Sequence, residues 1–406
     1  MKKKIKMGIN KKKYLRIGYA IATLLLLACS EGAKNDALTV EVTNHLDFPR
    51  NEIVAIKSNR VFEFLNDKSK QHIRVKRDGS MAYLRTQWFD KDQDGTHDEL
   101  LFQVDVAANS TTHYLISVDS AITETENDVM AYSRLVPERT DDYTWENDKV
   151  AFRTYGPTGE KEALAGVPGS TLSSGIDLWL KRTDKSIINK WYNEHLKAPG
   201  YYHIDHGEGY DPYHVGGSRG TGGIGVYEND SLVVSNNFTE SRTLAAGPLR
   251  TVFELDYAPW SDYEIKETKR ITLDLGSNFS KFDIKLTPEK EVPNYAVGIT
   301  LHENQGEAKL NVAEGWFRHW ETIDGSQVGE GIVIDPVAVE TALVRQSEVV
   351  DQSNLLIVTS PQNNLVYYAG FAWDKSDQIA TVEDWDMLLQ RQALIISNPL
   401  EITIKK

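Results

Sequence analysis

Alternation restricts this fold more than any other feature of the chain. From Leu38, apolar and polar residues exchange with period two in LTVEVTN, NEIVAIK, VFEFL, HIRVKR, MAYLRTQWF, ELLFQVDV and THYLISVD, all before about residue 120. Each run stops at Asn, Asp, Gly or Pro. Period two places successive side chains on opposite faces of a pleated strand, so these runs predict half-buried antiparallel strands. Alternation returns at Gly225 and continues through GVYEND, SLVVSNNF, ESRTL, GPLRTVFELDYAPW, YEIKETKRITLDLG, FSKFDIKLTP, YAVGITLH, AKLNVAEGWFRHWE, GEGIVIDP, LLIVTSP and LVYYAGFAW. Long neighbouring strands with few breaks predict broad sheets packed face to face, an all-β fold. Helical spacing is convincing only over residues 381–397, with apolar residues at 385, 388, 389 and 395. INKWYNEHLK fits a short helix or an irregular segment equally.

The first 28 residues follow the plan of a secretory signal: a basic region from Lys2 to Arg16, then an apolar run too short to span a bilayer comfortably. LLLLAC ends at Cys29 and resembles a bacterial lipobox, whose cysteine is lipidated and becomes the first mature residue. A tether over 29–37, a small β-sandwich over 38–120, a Glu-, Asp- and Thr-rich linker over 121–140 and a larger β domain over 141–406 complete the expected organisation. Cys29 is the only cysteine, so internal disulfides, a thiolate nucleophile and cysteine-ligated metals are excluded. The net charge of −14, with eight unopposed Lys and Arg in residues 1–29, leaves the remainder more acidic still and argues against nucleic acid as a partner. An acidic substrate must then be held by a local group of cations.

Chemistry concentrates in Tyr201–Gly225, YYHIDHGEGYDPYHVGGSRGTGGIG, whose glycines are too close together for a helix or a regular strand. Such a loop is costly as structure, and it carries His203, His206, His214, Tyr210, Tyr213 and Arg219. Imidazole, phenol and guanidinium are the parts for proton transfer beside an anion. The bland alternative is a surface loop whose histidines bond to backbone. A rival use is a divalent metal on His203, Asp205, His206 and Glu208, which requires the loop to curl, because strand geometry points 203 and 205 away from 206.

Two smaller stretches carry their own expectations. DKDQDGTHDEL, residues 90–100, orders Asp90, Asp92, Asp94, Gly95 and Asp98 like a structural calcium loop, without flanking helices or the closing Glu spacing. In EGWFRHWE, Trp316 and Trp320 share one strand face with Arg318, and Phe317 and His319 share the other. The tryptophans suit either a sugar subsite or a core between sheets. His302 and Glu303, at a strand end in LHENQGE, are ambiguous in the same way.

ESRTLAAGPLRTVFELDY followed by KETKRITLDLG resembles the galactose-mutarotase-like antiparallel β-supersandwich of sugar epimerases and many polysaccharide lyases. With the lipobox, the YHIDHGEGYDPYHVGGSRGTGG loop and the closing YYAGFAWDK…DW segment, residues 38–406 resemble a family of Bacteroidota lipoproteins encoded beside enzymes that degrade uronate-containing glycans. One member type of that family is an ulvan oligosaccharide dehydratase. The resemblance implies a supersandwich catalytic domain over 141–406 and a hydro-lyase acting on uronate-containing oligosaccharides. It also implies a cell-envelope location, with contact to the outer membrane only through lipid on Cys29 and the periplasmic face favoured. A cofactor is not required by such a reaction. On chemical grounds His203 or His206 is the expected base, Tyr210 or Tyr213 the proton donor, and Arg219 the carboxylate clamp, joined by Arg242 and Arg250. Tyr192, Glu208, His214, Trp316, His319 and Trp320 are expected substrate contacts. The alternatives are a lyase cleaving the glycosidic bond by β-elimination, an epimerase, and a glycan-binding lipoprotein without turnover. Hydrolysis ranks lower, since no separate pair of carboxylates stands out.

Overall fold

Most of the alternating runs become strands, and their pairings assemble a β-sandwich. The computed structural model describes residues 37–65, 72–120, 127–349 and 351–405. The expected signal peptide, Cys29 and the tether to residue 36 lie outside the described residues. One antiparallel sheet of eight strands runs in the order Glu240–Ala246, Arg250–Trp260, Ile265–Asp274, Phe279–Thr287, Asn364–Trp373, Ser326–Ile334, Trp316–Ile323, Glu307–Asn311. Two five-stranded sheets pack on its inner face. The first runs Gly209–Tyr210, Asp177–Lys181, Ala151–Thr154, Asp142–Glu146, Tyr132–Val136, and the second Ser231–Val233, Thr221–Glu228, Tyr295–Thr300, Asn354–Thr359, Val339–Arg345. Trp145, Phe152, Phe253, Phe282, Val297, Ile332, Ile357 and Phe371 fill the space between the layers. Each comes from the apolar set of its strand, which is what period-two patterning requires.

Residues 38–120 supply four strands of a five-stranded sheet and all of a three-stranded one, around a separate core that includes Val40, Val42, Ile56, Val75, Phe102, Tyr114 and Ile116. The edge strand of that five-stranded sheet is Glu401–Lys405, which pairs antiparallel with Leu38–Asn44 in the register Val40 to Ile404. Leu38 to Lys406 form one compact unit.

Departures from the alternation have local causes. VFEFL lies in helix α1 (Ser58–Leu65), where Val61 is buried and Glu63 exposed. A strand would put those two on the same face, whereas a helical turn separates them. Helix α2 (Pro157–Leu164) starts on a proline at its first turn, where the missing N–H costs nothing. INKWYNEHLK is helix α3 (Ile188–Lys197), burying Ile188, Trp191 and Tyr192. The expected helix near the C-terminus is α4 (Val382–Ser397), started by a capping box between Thr381 and Asp384. Within the expected linker, Tyr132–Val136 is a strand paired with Asp142–Glu146.

The two five-stranded sheets meet at a bridge between Ile176 and Gly220. Gly220 has φ +55°, and a Cβ there would sit 1.9 Å from the Ile176 carbonyl oxygen. Gly220→Ala is therefore expected to cost about 2 kcal/mol or more, because both the backbone conformation and the contact forbid a side chain. A urea midpoint within error of the wild type would show that the bridge does not constrain the fold.

Candidate functional site

The outer face of the sheet that carries Asp177–Lys181 is the floor of the site. Leu178 and Leu180 point into the sandwich, so Asp177, Trp179 and Lys181 point outward, as do Ala151 and Arg153 on the next strand and Asp142 and Glu146 beyond it. α3 and the turn Tyr201–His203 cover this face. Glu146 accepts from Ile187 N and Ile188 N at the start of α3 and from Lys181 Nζ at 2.8 Å. A buried carboxylate thus meets both a cation and a helix N-terminus, two favourable partners for one charge.

Arg153 is the centre of a larger buried network. Its Nε lies 2.8 Å from Asp177 Oδ2, its Nη2 2.9 Å from Asp211 Oδ2 and its Nη1 3.9 Å from Asp142 Oδ2. The guanidinium packs 5.3 Å from the Trp179 ring and 5.5 Å from the Tyr202 ring. Three carboxylates on one guanidinium leave excess negative charge in a region with little water. Burial accordingly pushes Asp142 up to about 7, and it raises Asp177 and Asp211 against the pull of Arg153. A shared proton relieves the excess.

His203 stands at the edge of this network, its side chain 53% exposed. Its Nδ1 is 2.9 Å from the Asp211 carbonyl oxygen and 3.6 Å from the Asp211 carboxylate. A carbonyl only accepts, so Nδ1 carries the hydrogen and Nε2 is left with its lone pair. Next to Asp211, Tyr210 donates from Oη to Asp324 at 3.3 Å. Burial, then the charge of Asp324, pushes the phenol up to about 12, so it holds its proton. Arg182 lies along the same loop, donating to the Gly207 carbonyl, pairing with Asp205 at 2.7 Å and resting 5.6 Å from the Trp373 ring.

Tyr210 and Arg182 lie by Trp373 on the side of the sheet that Leu180 faces, and the remaining loop residues do not gather around His203 either. His206 stacks on Tyr201 at 3.9 Å and bonds to its carbonyl, Glu208 is held by Lys190 and Trp191, and His214 pairs with Asp351 at 3.0 Å. With Asp205 and Glu208 each engaged by a cation, His203, Asp205, His206 and Glu208 do not converge as metal ligands. Among the described residues, the groups that do converge within 4.8 Å are His302, Glu321 and Glu330, and Asp90, Asp92 and Asp94. In the second group Asp90 also accepts from Gln93 N and Gly95 N, while the expected fourth ligand, Asp98, accepts from Lys91 N.

Several expected substrate contacts are structural. Arg219 is 1% exposed inside the sandwich, donating to Ser174 Oγ and the Ile224 carbonyl, and burial lowers it to about 10. It is unreachable as a clamp, since both flanking strands close over it. Arg242 pairs with Glu254 and Asp256 near the sheet edge. Arg250 pairs with Asp274 and lines a groove of about 1110 Å³ between residues 50–55 and the outer face of the large sheet. Tyr192 is buried under α3. Trp316 and Trp320 pack beneath α4 with Trp385 and Leu389, and Arg318 beside them is held by Asp386 and Glu307. Gly331 admits the helix there, since a Cβ would lie 2.4 Å from Leu389.

His319 faces the inner side of the large sheet, where the pairing register sets it opposite Glu330. Glu321 shares that face. His302 Nδ1 is 2.8 Å from Glu321 Oε1, and the Tyr213 ring meets the His302 ring edge-on at 4.7 Å. Tyr213, 6% exposed, bonds to Thr221 and is raised by burial and by Glu330 and Glu321. Sequence reasoning missed Asp142, Arg153, Asp177, Glu321 and Glu330. The one available signal was a charged residue inside an otherwise buried strand run, as in VAFRTYG and GEGIVID.

A β-sandwich carrying a buried acid–base network beneath a histidine-rich loop is the class these features define. The chain belongs to the DUF4861 family, described as a domain of unknown function, which matches residues 42–402. It is 43% identical over 403 residues to Uncharacterized protein P7 of Formosa agariphila, covering 97% of this chain and all of that one. Two structures from Enterococcus faecalis, an alpha-mannosidase and a protein in glycosyl hydrolase family 38, align over 91% of this chain with TM-score 0.49 and 9% identity. The chain spans 46% and 48% of their lengths.

Proposed function

We propose that this chain is a hydro-lyase removing water from the non-reducing-end uronic acid of ulvan-type oligosaccharides, anchored in the cell envelope through lipid on Cys29. The observation that carries the reading is His203: a half-exposed imidazole with its tautomer set by a backbone carbonyl and the buried Asp211–Arg153–Asp177 network behind it. Nε2 takes the C5 proton, and the electron pair of the C5–H bond becomes the C4–C5 double bond. The C4–O bond breaks, and the hydroxyl leaves as water with a proton from Tyr210 Oη. Tyr210 pairs with Leu180 on the opposite face of the sheet, so the loop has to turn its phenol toward His203 when substrate binds. Arg182, with 28% of its side chain exposed, takes the place expected for Arg219 as the guanidinium facing the uronate carboxylate.

The test incubates purified chain with intact and lyase-generated ulvan oligomers and follows ultraviolet absorbance and mass. Dehydration gives a new conjugated double bond with loss of one water and unchanged chain length. Two fragments would replace this reading with a glycosidic lyase, unchanged mass with inverted C5 with an epimerase, and binding without change with a glycan-binding protein.

A further inference from the structure

We propose that His302, Glu321, Glu330 and His319 form a site for one divalent transition-metal ion on the inner face of the large sheet. His302 Nε2 lies 2.8 Å from the His214 carbonyl, which fixes hydrogen on Nε2, and Nδ1 lies 2.8 Å from Glu321 Oε1, so Nδ1 is the atom at which an ion would replace a proton. Glu330 converges on the same point, with ligand atoms of all three residues within 4.8 Å of one another. Two buried carboxyl groups and an imidazole nitrogen therefore meet at one point, where protons or a cation must sit among them.

His319 and Glu330 add a second, independent observation. They are 1% and 0% exposed, neither ring nitrogen of His319 has a hydrogen-bond partner, and the Glu330 carboxyl is left to share hydrogen with the buried Glu321. His319 Nδ1 and Glu330 Oε2 approach to 3.1 Å without the alignment of a hydrogen bond. Buried groups of this kind are normally satisfied, and a coordinated ion would satisfy the Glu330 carboxylate together with His319 Nδ1, the ring nitrogen that faces it. Two imidazoles and two carboxylates form the donor set of zinc, manganese or iron. The bond from His302 to a backbone carbonyl is the outer-shell support such ligands use, and Glu321, Glu330 and His319 sit on paired strands that hold them rigidly. His302 itself is at φ +42°, a strained conformation for a residue with a side chain, held where the ring reaches the cluster.

The site stands apart from the elimination reading, because its ligands face the buried interior of the sandwich while His203 is exposed on another sheet. Tag-free chain should retain about one equivalent of metal by mass spectrometry. After stripping with chelator it should bind Zn²⁺ or Mn²⁺ calorimetrically, with Glu330→Gln weakening binding at least about tenfold. No retained metal and no heat with either ion would overturn the site, as would equal binding by Glu330→Gln and wild type. A metal-binding chain that leaves every oligomer unchanged would remove the elimination reading and keep the site. Undiminished dehydration by a chain that binds no metal would do the reverse.

Discussion

His203→Gln is expected to lower turnover on uronate-terminated oligosaccharides by about 10²- to 10⁴-fold, the usual contribution of a positioned general base. The amide of Gln can still donate to the Asp211 carbonyl, so the loop keeps its anchor while the lone pair of Nε2 is lost. Because the side chain is half exposed and makes one backbone bond, stability should change by no more than about 1 kcal/mol. Loss of turnover with an unchanged melting curve separates chemistry from folding. Full activity in this variant would place the base elsewhere, and Tyr210→Phe would then report whether the donor assignment stands.

Arg153→Met is expected to cost about 3–5 kcal/mol at pH 8, since it leaves Asp142, Asp177 and Asp211 buried without their countercharge. The loss should be smaller at pH 5. Asp142 is raised to about 7 in the folded chain from an ordinary value near 3.8, so the folded state binds its proton more tightly than the unfolded state does. Stability from that proton is fully present below the unfolded value and is lost as pH rises through the folded one. Without Arg153 the three carboxylates take up protons more readily, and acid compensates for the missing cation. Urea titrations at the two pH values measure the difference. Equal costs at both, or a cost under about 1 kcal/mol, would mean that the network is hydrated and not a buried charge cluster. Arg153→Lys keeps the charge but not the two-armed geometry, and should fall between.

Much of the β architecture was legible because each strand's pattern is local: alternation in RTVFELDYAPW or FSKFDIKLT needs no partner to be read. VFEFL misled because four apolar residues in five match a strand and a short helix alike, and only the burial of Val61 against the exposure of Glu63 decides. The loop's composition identified His203 and Tyr210 as residues of interest, but not their partners. Asp211 meets Arg153 from 58 positions away, and Glu330 meets His319 through a pairing register that neither strand encodes alone. Arg219 shows the opposite error: among glycines it reads as exposed, yet those glycines let two sheets close around it.

The pairing of Glu401–Lys405 with Leu38–Asn44 sets the order in which the molecule can assemble. Until residues 401–405 have been made, Leu38–Asn44 is paired only along the edge it shares with Ser110–Val118, and its other hydrogen-bonding edge stays open. The small sandwich of residues 38–120 is therefore sealed only after the large one has been made, and a chain halted before residue 401 would expose that edge to its neighbours. Chaperone dependence should accordingly persist at every chain length short of residues 401–405 and fall once they are added.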